Sequence, residues 1–142
     1  MVEVVNRQRG RRMDRGRWRE FAERALSSVS EGAGKDATVA FVSDRAMRRL
    51  NRRFRGKSGT TDVLSFPAGA EEWERAEGER LGDVVVSVEQ AARQAEEHGL
   101  TFENEVEQLI LHGLLHLCGY DHERDGGEMN ALELRLRRHL GI

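Results

Sequence analysis

The chain has one cysteine, Cys118, in 142 residues. It cannot form an internal disulfide, which excludes a disulfide-stapled scaffold and fits a reducing compartment such as the cytoplasm. No apolar run reaches the ~18 to 20 residues that a membrane span requires. The opening MVEVVNRQRGRRMD meets basic residues at once, so a signal peptide is not expected there. Repeats and low-complexity tracts are absent. Aromatics make up only 6% of the chain, which leaves few side chains to stack on unpaired bases. One domain over residues 1–142 is expected, long enough to bury a core.

Charge is plentiful but unevenly placed. Residues 1–57 hold 16 Lys/Arg against 7 Asp/Glu, and residues 58–142 hold 7 against 18. The net charge of -2 hides this split. A basic half in a slightly acidic protein points to an anionic partner, or to two halves that are solvated separately.

The pattern along the chain predicts an α+β fold: a small four-stranded mixed sheet packed with about five helices. Strands are expected at Val2–Val5, Ala37–Val42, Asp62–Phe66 and Leu81–Val88. Trp18, Phe21, Ala22, Ala25, Leu26 and Val29 recur at helical spacing, predicting a helix over Arg15–Val29. Ser43 caps a helix that buries Met47 and Leu50. Ser87 and Gln90, and again Asp125 and Glu128, have capping-box spacing. The first pair opens a helix that ends at Gly99, the second a last helix striped by Met129, Leu132, Leu136 and Leu140. Residues 68–80 read as flexible, and the acidic stretch within them at residues 71–80 has no assigned role.

Between those two helices lies a long one starting at Thr101 and stopping at Gly119. It carries His112 and His116, four apart and therefore on one face. Gly119 lets the chain turn, and His122 can return to complete H-x-x-x-H-x-x-G-x-x-H. Three neutral imidazoles suit one zinc ion per chain, although nitrogen ligands also take other divalent transition metals. Cys118 falls about 200° around the helix from His116 and points away. Asp121 or Glu123 would reach the metal only awkwardly beside His122, so the fourth position is expected to be open, as in catalytic sites.

This zincin-like helix departs from the protease pattern H-E-x-x-H at one point. Gly113 stands where a peptidase has its glutamate base. A metal held by neutral ligands still lowers the pKa of water to about 7, and its uncompensated charge favours an anionic substrate such as a phosphodiester. A run of arginines, Arg45, Arg48, Arg49, Arg52, Arg53 and Arg55, is suited to phosphate contact.

His112–His122 (HGLLHLCGYDH) resembles the signature of the YbeY family, formerly UPF0054. So do Leu50-Asn51, Phe54-Arg55 and Thr60–Pro67 (TTDVLSFP), Leu81–Ser87 (LGDVVVS) and the opening VEVVNRQ. The resemblance implies a zincin-related α+β fold. It implies a metal, usually zinc, on His112, His116 and His122, and a functional arginine at Arg55. It also implies single-strand-specific RNA cleavage in 16S rRNA 3′-end maturation and ribosome quality control. Implied partners are the small ribosomal subunit and an Era-type GTPase. On this reading His116 and Arg55 carry catalysis, and Arg55, Arg52 and Arg48 bind substrate. Asp62 and Asp121 are candidates to orient a ligand histidine, and Tyr120 either stacks a base or packs beneath the metal. Thr60 and Ser65 help shape the strand lining the cleft. The alternatives are a zinc-holding ribosome-assembly factor with little cleavage activity, and a zinc peptidase with another base.

Overall fold

Short polar side chains start four of the helices. In the computed structural model, which describes residues 1–68 and 80–142, Asp14, Ser43, Ser87 and Thr101 each accept from the backbone N–H three residues on. These caps open α1 (Arg15–Ser27), α2 (Asp44–Arg55), α3 (Val88–His98) and α4 (Phe102–Leu117). The strands are β1 (Val2–Asn6), β2 (Asp36–Val42), β3 (Val63–Pro67) and β4 (Arg80–Ser87), and the last helix is α5 (Glu128–Leu140). The sheet order is β1-β2-β4-β3, with β1, β2 and β4 parallel and β3 antiparallel to β4. The expected α+β class, mixed sheet and number of helices are all present among the described residues. The acidic stretch lies outside them except for Arg80.

The central strand β4 reads VVV at 84–86 because both of its faces are covered. Val84 and Val86 join the main core with α1, α3, α4 and α5. Val85 faces the other way, with Met47 of α2, Val42 and Leu64. α4 lies in the main core, and its Ile110, Leu111, Leu114 and Leu115 are fully buried. The helix that carries the histidines is therefore held by the sheet and by its neighbours.

Three boundaries differ from those predicted. α1 stops at Ser27, because Ser28 turns its hydroxyl back to the Arg24 carbonyl at 2.8 Å, although Val29 is still buried. β4 ends at Ser87, which stays extended and paired with Val42 while its hydroxyl caps α3, so that Val88 is already helical. Of the predicted capping box there only half forms: Ser87 Oγ accepts from Gln90 N, but the Gln90 side chain turns to Arg93. The Asp125–Glu128 box is also corrected. The N-cap of α5 is Gly127, with φ 105°, which has no side chain of its own to cap the helix. Gly126 and Gly127 let the chain swing past Asp125, whose carboxylate accepts from the N–H groups of Gly127 and Met129 instead.

Asp44, at the start of α2, is a buried polar hub. It accepts from Thr60 Oγ1 at 2.7 Å and Ser87 Oγ at 2.8 Å, and it pairs with Arg93. It thereby ties the α2–β3 loop to the start of α3. Burial pushes its carboxyl up, but the bonds from Thr60, Arg93 and Ser87 more than offset this and hold it below the ordinary value. A lowered folded-state pKa stabilises above the unfolded value and is lost as pH falls through the folded one. Asp44→Asn is therefore expected to cost about 2 kcal/mol at pH 7, given that Arg93 is half exposed. Thermal melts should show the gap from wild type closing as pH drops below the carboxylate range.

Candidate metal centre and its cleft

α4 presents His112 and His116 one turn apart on a half-buried stripe. The helix ends when Gly119, with φ 99°, enters the left-handed region that a side chain would resist. There Gly119 N donates to the His116 carbonyl and Tyr120 N to the Leu115 carbonyl. The reversal brings His122 back over the helix. Ring centroids lie 4.7 Å apart for His112–His116, 5.4 Å for His112–His122 and 5.2 Å for His116–His122. One nitrogen from each ring falls within 4.8 Å of the others, so the trio could hold a metal ion.

The hydrogen bonds behind the rings define which nitrogens are free. His112 Nδ1 meets Glu133 Oε1 at 2.7 Å, and His116 Nδ1 meets the Tyr120 carbonyl at 3.0 Å. Burial alone would raise the Glu133 pKa. Its bond from His112 and the nearby Arg137 charge hold it below its usual value, so it is an acceptor. Both Nδ1 atoms must then carry the proton. The two Nε2 atoms face each other at 3.1 Å. Burial, then the charges of His112 and His122, keep the His116 pKa low, favouring the neutral ring. The neutral His116 ring, protonated at Nδ1, turns its Nε2 lone pair toward the Nε2 of His112. A cation satisfies both, and the all-nitrogen donor set fits zinc or a neighbouring transition metal.

Glu133 was not singled out in the sequence. It lies four residues after Met129 and three before Leu136, on the buried stripe of α5, and that position was the available signal. Glu133→Gln keeps the shape but weakens the acceptor. It should loosen metal binding by about 10- to 100-fold, read by competition with a chromophoric chelator.

The histidines open onto a cleft of about 860 Å³ that also takes in Arg55, Asp62, Ser65, Glu105 and Tyr120. Arg55, the last residue of α2, thus shares a cleft with the ligands. Arg48 and Arg52 do not line it: both are exposed on α2, and Arg48 sits 3.8 Å from Asp44. The Asp62 carboxylate accepts from Val63 N and Thr61 Oγ1, and the Asp121 carboxylate from Glu123 N. The polar partners of His112 and His116 are Glu133 and Tyr120 instead. Tyr120 packs against the main core and donates its hydroxyl to Glu31 at 2.9 Å. Thr60 is drawn to Asp44, and Ser65 donates to the Gly113 carbonyl at 3.0 Å. Cys118 is kept out of the site, its thiol pushed up to about 11 chiefly by burial.

Gly113 has a second role that the sequence did not reveal. A Cβ there would lie 2.6 Å from Val84 Cγ1 and 3.3 Å from Ser65 Oγ. The helix approaches the sheet so closely that any side chain at this position must displace Val84.

These features define a class: an α+β protein whose core helix and following turn bring three histidines together at a cleft. The family described as Endoribonuclease YbeY matches residues 3–141. An Endoribonuclease YbeY of Solibacter usitatus is 47% identical over 122 residues, covering 86% of this chain and 76% of its own. One of Geobacter metallireducens is 38% identical over 142 residues, covering 99% and 94%. A solution structure of a Thermotoga maritima protein superposes with a TM-score of 0.65 at 28% identity, covering 99% and 89%. The chain belongs to the YbeY endoribonuclease family.

Proposed function

We propose that this protein is a zinc-dependent endoribonuclease that cuts single-stranded RNA. The observation that carries the proposal is the set of three inward-turned imidazoles sharing a cleft with Arg55, with no room for a carboxylate at 113. The family supplies RNA as the substrate, and the site chemistry agrees with a phosphodiester. His112, His116 and His122 would hold one zinc ion per chain. When bound, such an ion acts as a Lewis acid and lowers the pKa of water.

The chain's own groups do the rest. Glu133 and the Tyr120 carbonyl fix the tautomers of His112 and His116, so both present Nε2. Arg55 offers a planar pair of donors to phosphate oxygens and stabilises charge that grows on them. Arg52 and Arg48 extend that contact along the exposed face of α2. Asp62 and Asp121, on the segments flanking the cleft, keep these segments in place through their backbone bonds. The natural substrate on this reading is the 3′ end of 16S rRNA, cut during maturation and quality control in the cytoplasm. The small ribosomal subunit and an Era-type GTPase would be partners.

Arg55→Ala should keep its full metal content and lose about 10²- to 10³-fold in kcat/KM on a single-stranded RNA. Arg55→Lys should recover only part of this, because a point charge does not replace the fork. A control peptide should stay uncut. Cleavage of the peptide and not the RNA would replace this reading with a peptidase. RNA binding without cleavage would replace it with an assembly factor.

A further inference from the structure

The stretch from Arg7 to Arg19, which joins β1 to α1 and enters the first turns of that helix, takes no part in the cleft, yet it is strongly basic. Seven arginines fall between Arg7 and Arg19, against one acid, Asp14. Asp14 is occupied in capping α1, where it accepts from Arg17 N. Among the described residues no carboxylate forms an ion pair with any of the seven. Arg12, Arg15 and Arg19 are exposed and line a concavity of about 720 Å³. Unpaired like charges at this density repel one another and cost stability, a cost that an anionic partner removes.

The placement of this segment indicates which anion. The Arg11 guanidinium lies 3.7 Å from the ring centroid of Phe102, the first residue of α4. Phe102, Leu109 and His116 are seven residues apart and so share one stripe of that helix. The cleft follows α4 from His116 back to Glu105, one turn short of Phe102. Glu105, the buried acid on that path, is bonded to His98 Nδ1 at 2.6 Å. The arginine segment therefore begins where the histidine cleft ends, about 21 Å along the helix from His116.

We propose that the Arg7–Arg19 segment is a docking surface for the sugar–phosphate backbone of RNA, engaging the strand beyond the nucleotides held at the histidine cleft. This rests on the reading of the cleft as an RNA-cutting site. Phosphate contacts of this kind add affinity without reading sequence. Substrates long enough to span cleft and segment should therefore bind more tightly than short ones, whatever their sequence.

The test uses the full chain with Arg12→Gln, Arg15→Gln and Arg19→Gln combined, all exposed positions outside the cleft. Circular dichroism checks that the variant is folded. Binding of single-stranded RNAs of 6 and 24 nucleotides is measured across a salt series, with cleavage of both. The expected result is at least tenfold weaker binding of the long RNA, and a log–log salt slope shallower by about 2. Cleavage of the short RNA should be unchanged. Equal affinity and slope for the folded variant and wild type on the long RNA overturn the proposal and leave the cleft reading intact. If wild type neither binds nor cuts either RNA, the cleft reading fails and this one falls with it. If polyglutamate binds wild type and loses that binding in the triple variant while RNA binding ignores the three substitutions, the surface takes an acidic protein, and the proposal is wrong.

Discussion

His116→Ala is expected to leave the protein folded, nearly metal-free and inactive on RNA. The ring is half-buried and lies at the centre of the trio, 3.1 Å from His112 Nε2 and with its centroid 5.2 Å from that of His122. Its removal leaves two imidazoles, too few to hold a divalent ion against a chelator. The loss of metal-based charge stabilisation amounts to several kcal/mol, or about 10³-fold or more in rate. The fold has little reason to fail, since the apolar face of α4 is untouched. Apo wild type also brings the two Nε2 atoms to within 3.1 Å of each other, and the variant does not. Melts of the two metal-free proteins should therefore agree within a few degrees. Metal content by mass spectrometry and cleavage of a labelled RNA decide the matter. Cleavage at the wild-type rate would show that the activity came from a contaminant.

Gly113→Glu is expected to abolish cooperative folding rather than create a peptidase. The first carbon added would sit 2.6 Å from Val84 Cγ1. Val84 is fully buried in β4, which is paired on one side with β2 and on the other with β3, so the strand has nowhere to retreat. The rest of the side chain would bring a carboxylate into that packed layer with no cation built to receive it. Gly113→Ala isolates the steric part. Overpacking costs about 1 to 3 kcal/mol, offset by about 1 kcal/mol of better helix propensity. Alanine should thus lower the melting temperature modestly and glutamate should remove the transition. A soluble Gly113→Glu protein with an unchanged melt would refute this account of the glycine.

That glycine marks the boundary between what the sequence discloses and what it conceals. Features set by neighbours in the chain were legible: the caps at Ser43, Ser87 and Thr101, the apolar stripe of α4, and a histidine triad held together by one helix and its turn. The chemistry of a missing base could also be reasoned from Gly113. The contact with Val84 could not, because it arises from how far α4 sinks onto the sheet. Glu133 was missed for a related reason. Its partner His112 is 21 residues away, and an acid on an amphipathic helix ordinarily faces water. Asp44 gathers Thr60, Ser87 and Arg93 from as far as 49 residues off. The α5 cap was misplaced because spacing suited a capping box while two glycines allowed another path. In each case a long-range contact or a special backbone geometry overrode a sound local pattern.

The central claim is that the three-histidine centre cuts RNA through its metal. The most direct measurement strips the protein with chelator, restores zinc in fractions of an equivalent, and follows the initial rate of single-stranded RNA cleavage beside bound metal per chain. The account predicts no cleavage at zero metal, a linear rise, and a plateau at one ion per chain. Full cleavage by the stripped protein, or a rate indifferent to bound metal, would contradict it.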